Sequence, residues 1–462
     1  MFLRATTVFS TMMTVLLFTA TVSAEPYPST YTALPSGPVL IVNATILTGT
    51  GERITGGSLL LADGRIQDIR SHSRAGKGEA TLIDAEGRWV TPGLIDVHSH
   101  LGVYPSPNVQ AHSDGNEATA PVTAQVWAEH SVWPQDPGFN RALAGGVTSL
   151  QTLPGSANLI GGRGVTLKNV RARSYQEMKF PGAPHGMKMA CGENPKRVYG
   201  GKGVAPSTRM GNVAGYRAQW IEAQKYIKDR DAYQDSLTQE AGDKEKKVQE
   251  PARDLRLETL AGVLRGEILV HMHCYRADEM MTILDMASEF GYTVSAFHHG
   301  VEAYKIADEL AAAGVCGALW ADWWGFKAEA YDGIQENIAL VDRPDGSCAI
   351  VHSDSSEGIQ RLNQEAAKAM MRGQRAGMDI PPEKAIRWLT ANAAKSLGIL
   401  DQTGTLEKGK MADVVIWNGN PFSVYAKADQ VFIDGALVYD RSDPSRQPLS
   451  DFELGLTRES GL

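Results

Sequence analysis

Short apolar runs alternate with helical patterns through the middle of this chain of 462 residues. The apolar runs have the length of strands and lie at 94–97, 147–153, 186–190, 268–272, 293–297, 315–320 and 349–351, with an eighth expected near 164–170. Helical periodicity separates them, as at 277–290 and 303–313. This alternation predicts βα units around a parallel sheet. His98 and Asp354 are 256 positions apart, close to the roughly 250 residues of a (β/α)8 barrel.

Both ends of the chain carry β-strand patterns. They occupy 39–69 near the beginning, and 403–417 and 431–439 near the end. Asp-Gly pairs at 63–64 and 434–435 mark hairpin turns within them. The sequence therefore predicts an α/β protein in which a small β-sandwich, built from 25–91 and 403–447, accompanies a barrel over 92–402.

One connection of the predicted barrel, 211–265, is longer than the others. Tyr216, Trp220, Ala223 and Ile227 recur in it at helical spacing. We predict an inserted helical hairpin here. Its role stays open between a lid over the site and a solvated helical face without influence on substrate choice.

Histidines stand at the end of the first predicted barrel strand. His98 and His100 are two positions apart, and the twofold period of a strand directs both imidazoles to the same side. Two neutral imidazoles that converge on one point suit zinc or a similar divalent ion. Because catalytic groups in such barrels come from strand C-termini, the histidines and the aspartate at later strand ends become candidates for the same site.

The run from Pro92 to His100, P-G-L-I-D-V-H-S-H, resembles the first barrel strand of the amidohydrolase superfamily. The resemblance covers nearly the whole chain after residue 24 and is closest to the imidazolonepropionase-like branch, which includes metal-dependent dipeptidases and carboxypeptidases. It implies a (β/α)8 barrel with a small β domain, and a hydrolase of C–N bonds that holds zinc, with two ions per chain.

The resemblance also implies the metal ligands, which are His98, His100, His273, His299 and Asp354. Lys188 matches the lysine that, once carboxylated by CO2, bridges two metal ions in relatives. The phrase after Lys188 departs from those relatives and continues C-G-E-N-P, so Glu193 is the alternative bridging carboxylate. Asp354 would also accept the proton of the attacking water, which makes it the predicted catalytic base.

Four further residues are predicted to contact the substrate. Arg163, Tyr199 and Arg276 fall on loops after strand candidates, and arginines suit bidentate recognition of a carboxylate. His271 is in phase with His273 but deeper in the barrel, as a neighbour of the site.

The first 24 residues predict export. Met1–Ala24 has a single charge, Arg4, then an apolar core and a small-residue cleavage site, which is typical of a secretory signal peptide. An uncleaved membrane anchor is the alternative, but the apolar run is short for one. The expected location is secreted or periplasmic.

Charge and cysteine content limit the partners. A net charge of −8 without long charge runs argues against nucleic acid and anionic membrane. The four cysteines, Cys191, Cys274, Cys316 and Cys348, are widely spaced and predict buried thiols, although an exported protein can pair them.

These features together predict a secreted, metal-dependent amidohydrolase that cleaves small amide or peptide-like substrates. A one-metal hydrolase of cyclic amides, of the imidazolone type, or a one-metal deaminase is the alternative among enzymes. A non-catalytic binding protein on a barrel scaffold is the alternative from another class. Association into a homo-oligomer is left open.

Overall fold

The computed structural model describes residues 26–72, 78–238 and 249–446. The predicted signal peptide lies outside the described residues. Within them, no helix combines the length and the apolar character that crossing a bilayer requires.

The described residues form two sheets with helices around one of them. The strands are β1 (Val39–Leu47), β2 (Arg53–Ala62), β3 (Arg65–Arg70), β4 (Thr81–Asp84), β5 (Trp89–Pro92), β6 (Leu94–Ser99), β7 (Val147–Thr152), β8 (Ile160–Lys168), β9 (Gly186–Ala190), β10 (Leu269–Cys274), β11 (Val294–His299), β12 (Cys316–Leu319), β13 (Ala349–Val351), β14 (Val414–Trp417), β15 (Ala428–Ile433) and β16 (Ala436–Asp440). The helices are α1 (Pro137–Ala144), α2 (Tyr175–Met178), α3 (Glu193–Gly200), α4 (Arg209–Thr238), α5 (Leu255–Leu264), α6 (Ala277–Phe290), α7 (Ala307–Ala312), α8 (Asn337–Val341), α9 (Leu362–Arg375), α10 (Pro382–Ala385) and α11 (Ala391–Ser396).

The barrel sheet contains β6 to β13 in sequence order, which confirms the predicted barrel. One strand departs from the expected parallel sheet, because β8 pairs antiparallel with both β7 and β9. The predicted βα alternation is therefore wrong at this strand. A short loop joins β7 directly to β8, and without a crossover helix two consecutive strands pair as a hairpin.

Polar contacts join the first and last strands of the barrel. The backbone N–H of Asp354 donates to the carbonyl of His98 over 3.0 Å. The buried Asp96 side chain accepts from the backbone of Ser353 over 3.2 Å and also from the Ser353 hydroxyl. These contacts bring the end of β13 beside the end of β6, where the predicted metal ligands lie.

The second sheet uses both ends of the chain, as predicted. Its order is β16-β15-β14-β5-β1-β2-β3, with β4 also paired to β1. Both predicted Asp-Gly turns are present, with positive φ at Asp63 (53°) and Gly64 (72°), and at Asp434 (47°) and Gly435 (75°). Two consecutive positive φ angles are what the favoured hairpin turn requires.

A buried cluster of side-chain ion pairs connects the β domain to the barrel. Lys168, at the end of β8, places Nζ 3.1 Å from Asp413 Oδ1 and 3.0 Å from Asp434 Oδ1. The Tyr31 hydroxyl donates to Asp434 Oδ2 over 2.5 Å. Burial first, and then the two carboxylates, raise the pKa of Tyr31, which therefore remains a donor at neutral pH.

Two helices, α4 and α5, occupy most of the long connection at 211–265 and pack against each other. Tyr216, Trp220 and Ala223 of α4 are buried. The Tyr216 hydroxyl donates to the carbonyl of Ala190, at the end of β9. A helical hairpin thus exists and is anchored to the barrel, while its role as a lid stays a prediction.

The four cysteines form two disulfides, so the prediction of unpaired thiols is wrong. Cys191 bonds Cys274, and Cys316 bonds Cys348. In each pair the cysteines lie at the ends of adjacent barrel strands, with Cα atoms 5.2 and 4.5 Å apart. The bonded cysteines are 83 and 32 residues apart in the sequence. Their proximity could not be predicted from the sequence, because only strand pairing brings such positions together.

Candidate active site

Three of the predicted ligands converge at the junction of β6 and β13. Asp354 Oδ1 is 3.2 Å from His100 Nε2 and 3.5 Å from His98 Nε2. One ligand atom from each of the three residues lies within 4.8 Å of the other two. The twofold strand period that the sequence suggested does direct both imidazoles to the same end of the barrel.

A second compact group shares His98 and adds His299 and His352, again with ligand atoms within 4.8 Å of one another. All three are buried. The sequence analysis did not assign His352 to the site. The available signal was its position two residues before Asp354 at the same strand end.

Lys188 reaches this group, whereas Glu193 does not. The Lys188 side chain is buried, and its Nζ lies 3.2 Å from His98 Nε2 and donates to the Pro154 carbonyl at 3.2 Å. Burial lowers the pKa of Lys188 to about 8. Glu193 begins α3 and faces Lys327, with Oε1 3.6 Å from Nζ.

His273 lies beside the second group, on β10. Its ring centroid is 4.6 Å from that of His299. Its Nε2 is 3.4 Å from the side-chain amide of Asn194, and its buried Nδ1 has no hydrogen-bond partner among the described residues.

A chain of hydrogen bonds behind the site fixes the orientation of His98. His98 Nδ1 is 2.9 Å from His298 Nδ1, and His298 Nε2 is 2.9 Å from His271 Nδ1. His271 Nε2 then lies 3.3 Å from the side-chain amide of Gln151. His271 and His298 are both fully buried. Each imidazole in the chain therefore uses one nitrogen to accept and the other to donate.

Lys188 at one end and Gln151 at the other determine in which direction the hydrogen bonds of this chain are donated. Lys188 donates to His98 Nε2, so the proton of a neutral His98 resides on Nδ1 and is donated to His298. The donations then run from His298 to His271, and from His271 to Gln151. Gln151 Oε1 is buried without a hydrogen-bond partner among the described residues, and exchanging the amide oxygen and nitrogen makes it the acceptor that this direction needs. The lone pair of His98 Nε2, which faces the site, accepts from Lys188.

Electrostatics keep the imidazoles neutral and Asp354 charged. Burial lowers the pKa values of His98, His273 and His299 well below the ordinary histidine value. Burial alone would raise the pKa of Asp354, but the hydrogen bond from His100 and nearby positive charge lower it overall. Neutral imidazoles and a carboxylate are the protonation states that bind a divalent cation.

Two of the clustered residues have a strained backbone. His299 and Asp354 adopt positive φ angles of 73° and 48°, a region that costs non-glycine residues on the order of 1 kcal/mol or more. Strain of this kind is concentrated at functional sites.

The predicted substrate-binding residues are mostly engaged elsewhere. Arg163 Nε donates to Thr259 of α5 over 2.9 Å, and its guanidinium stacks on Trp127. The buried Tyr199 donates to the Ala120 carbonyl over 2.7 Å. Arg276 is paired with Asp278 at 2.9 Å. His271 belongs to the hydrogen-bond chain behind the site. The role of all four in substrate binding stays a prediction.

Aromatic rings line one side of the site, and sequence reasoning did not single them out. We call Tyr275, Trp320, Trp323 and Phe326 the aromatic wall. His299 stacks on both Trp320 and Tyr275, with ring centroids 4.2 and 5.4 Å away, and those two rings are themselves 6.0 Å apart. Trp323 stacks on Trp320 at 5.1 Å, and Phe326 meets Trp320 edge-on at 5.7 Å.

Comparison with known proteins gives a consistent result over most of the chain. The model of the amidohydrolase family matches residues 89–438. A solved amidohydrolase structure from Thermotoga maritima is 35% identical, with a TM-score of 0.78, and covers 87% of this chain and 100% of that one.

Two curated proteins are also similar in sequence. The amidohydrolase tasK of Hapsidospora irregularis is 32% identical over 87% of this chain, which spans 43% of that protein's length. An imidazolonepropionase of Mesorhizobium japonicum is 27% identical over 74% of this chain and 81% of its own length.

Proposed function

Because the chain belongs to the amidohydrolase family, of hydrolases that act on C–N bonds, we propose that it is an exported, zinc-dependent hydrolase of small amide or peptide-like substrates. The convergence of His98, His100 and Asp354 is the observation that carries this proposal. Export is supported by the leader-like first 24 residues and by the two disulfides, since disulfides persist mainly in oxidising compartments.

The donor set fits a divalent cation. His299 Nδ1 and both ring nitrogens of His352 are buried without hydrogen-bond partners among the described residues. Buried polar atoms normally have partners, and a missing ion is one reason for an exception. Imidazole and carboxylate together suit zinc. His98, His100, His273, His299 and Asp354 would hold the metal, with Lys188 available as a bridge after carboxylation.

When bound, zinc supplies Lewis acidity, which polarises the scissile carbonyl and lowers the pKa of a water molecule to about 7. Asp354 is the group of this chain that accepts the proton of the attacking water. It lies at the open end of the barrel, is charged, and is only partly buried. The same carboxyl then returns the proton to the leaving nitrogen.

Lys188 is preferred over Glu193 as the bridging residue. Its Nζ is directed at His98 Nε2, whereas the Glu193 carboxylate is held by Lys327 on the other side of Asn194. Carboxylation removes two protons from the Lys188 ammonium, one to free the amine and a second as Nζ bonds to the carbon of CO2. The buried cation thereby becomes an anion, which two zinc ions would stabilise when bound.

Metal content and substrate cleavage test the proposal together. We expect about two zinc ions per chain by elemental analysis, and cleavage of members of a dipeptide and N-acyl amino acid library by the zinc-loaded protein. Lys188→Ala is expected to lose one ion, and the matched variant Glu193→Gln to keep both. The reverse pattern would assign the bridge to Glu193. A protein without bound metal and without turnover would instead support a non-catalytic barrel.

A one-metal enzyme is the second candidate. The two compact ligand groups share His98, an arrangement that a single ion also satisfies, and one relative is an imidazolonepropionase. One zinc ion per chain, unchanged in Lys188→Ala, together with opening of a cyclic amide, would favour this candidate over the two-metal hydrolase.

A further inference from the structure

The aromatic wall extends from a metal-ligand candidate to the protein surface. Its inner member, Trp320, is 8% exposed and stacks on His299, whereas Trp323 is 42% exposed and Phe326 is 56% exposed. The stacked series of His299, Trp320 and Trp323 leads from the candidate site to the solvent. A flat group bound against the outer rings would therefore lie next to the site.

A shallow cleft lies along this wall. His299, Trp320, Trp323, Trp324, Ile334 and Asn337 are among the residues that line it. The cleft itself is shallow, with about 10 Å³ of space, so a larger group would rest on the exposed outer rings. Three of its lining residues are tryptophans, and indole faces favour planar apolar partners in offset-stacked or edge-to-face arrangements.

The charges beside the wall are paired. Asp322, which lines the cleft, lies 2.8 Å from a lysine of α9. Lys327 Nζ lies 4.1 Å from the centre of the Tyr275 ring. It also donates to Asn194 Oδ1 over 3.1 Å and faces Glu193 at 3.6 Å. The wall therefore offers ring surface rather than an unpaired cation, which favours a neutral group over a carboxylate.

The loop after β12, which carries three of the four residues of the aromatic wall, is held by an ion pair to the α4–α5 hairpin. Glu329, in the same loop as Phe326, is buried and paired with Arg209 at the start of α4. Arg209 Nε is also 3.1 Å from Glu279 of α6. Ion pairs from two helices fix this loop before any substrate binds, and pre-ordered surfaces lose less entropy on binding.

We propose that the aromatic wall is the specificity subsite of this enzyme and binds a neutral aromatic side chain or acyl group adjacent to the scissile C–N bond. The inference rests on the proposed function, because it assumes that the bond is cleaved at the metal centre. It goes beyond that function by naming the substrate class.

Matched substrates test this inference on the zinc-loaded full chain. Pairs of N-acyl amino acids and dipeptides would differ only in a phenyl or a methyl group, placed on either side of the amide bond. For one of the two placements we expect kcat/KM to be about tenfold or more higher for the phenyl member, since an aromatic contact contributes about 2- to 13-fold and burial of the larger phenyl group adds to it.

One variant inside the aromatic wall and one outside it distinguish a specific role of the wall from a general effect of removing an aromatic ring. Trp323→Ala is expected to reduce the phenyl-to-methyl ratio to within about threefold. Tyr425→Ala removes an aromatic ring that is 85% exposed, outside the wall, and should leave the ratio unchanged. Zinc content measured on both variants verifies that the metal centre is intact.

The outcomes distinguish a failure of the specificity subsite from a failure of the proposed hydrolase function. Cleavage of phenyl and methyl substrates with equal kcat/KM, or a ratio that survives in Trp323→Ala, would overturn the specificity subsite while the hydrolase function stands. Absence of both zinc and turnover in the unaltered protein would overturn the function and this inference with it.

Discussion

At the scale of single residues, the site depends on how each side chain is held. His98 takes part in both compact ligand groups and has both ring nitrogens engaged, by Lys188 on one side and His298 on the other. Asp354 touches His98 and His100 from a left-handed backbone position. Two predictions follow from these two residues.

Replacement of Asp354 by alanine should abolish turnover while most of the zinc is retained. The carboxylate is the proposed proton acceptor, and the loss of a general base costs typically 10²- to 10⁴-fold in rate. Steady-state kinetics and elemental analysis of the same preparation provide the measurement. Turnover within tenfold of the unaltered protein would remove Asp354 from the role of base.

Replacement of His298 by phenylalanine should weaken zinc binding by about 10- to 100-fold, as is usual when a partner of a metal-binding histidine is removed. The change deletes the acceptor of the His98 Nδ1 proton at 2.9 Å. Competition with a chromophoric chelator measures the affinity. His112→Phe, an exposed histidine outside the site, is the control. Equal affinities in the two variants would contradict an orienting role for His298.

At the scale of elements, strand ends and the α4–α5 hairpin determine what surrounds the site. Residues on six strands of the barrel or directly after them, from β6 to β13, supply the clustered side chains and the aromatic wall. The hairpin contributes the ion pair of Arg209 and a buried face that includes Trp220. Trp220 packs against Tyr292 with ring centroids 4.6 Å apart.

Replacement of Trp220 by alanine should reduce the free energy of unfolding by about 3–5 kcal/mol, the usual cost of emptying a buried tryptophan site. The adjacent Ile221 is 57% exposed, so Ile221→Ala should change the free energy of unfolding by less than about 0.5 kcal/mol. Urea denaturation under oxidising conditions gives both values. Similar losses in the two variants would mean that α4 is not packed as described.

At the scale of the whole molecule, buried ion clusters connect segments that are distant in sequence. Lys168 joins the barrel to the β domain through Asp413 and Asp434. At another place, the buried Glu129 accepts from His185 and Lys179, each at 2.9 Å. Lys179 also donates to the carbonyl of Tyr27, which attaches the beginning of the described chain to the barrel.

The Glu129 cluster should make stability depend on pH. Burial alone would raise the pKa of Glu129, but the contacts with His185 and Lys179 outweigh it and lower the pKa below the ordinary 4.5. His130, with Nε2 4.0 Å from Glu129, is the other titratable group that faces it. A lowered pKa in the folded state stabilises the protein above about pH 4.5, and this contribution is lost as the pH falls through the folded pKa.

Glu129→Gln should therefore cost about 3 kcal/mol at pH 7, the order expected for breaking a buried pair. The difference between variant and unaltered protein should shrink as the pH falls below about 4.5. Denaturation curves at pH 7 and across pH 3–5 provide the measurement. A difference that stays constant over this range would show that the charge of Glu129 is not what stabilises the cluster.

Local sequence patterns were enough to predict much of the fold and part of the candidate site. The two Asp-Gly turns, the helix at 277–290 and the order of the barrel strands follow from periodicity and turn chemistry, because such signals act between neighbours in sequence. His98, His100 and Asp354 were predicted together from the family resemblance and from the rule that strand ends of a barrel share one face.

Other features depend on which strands and loops become neighbours, and no local signal encodes that. The two disulfides, the antiparallel β8 and the place of His352 among the ligands belong to this group. The same is true of the aromatic wall and of the chain from His98 through His298 to Gln151. The sequence by itself determined the kinds of elements and the chemistry at their ends, because these depend on local spacing. Only the tertiary structure decided which side chains meet, because contacts between residues far apart in sequence arise from the closure of the barrel.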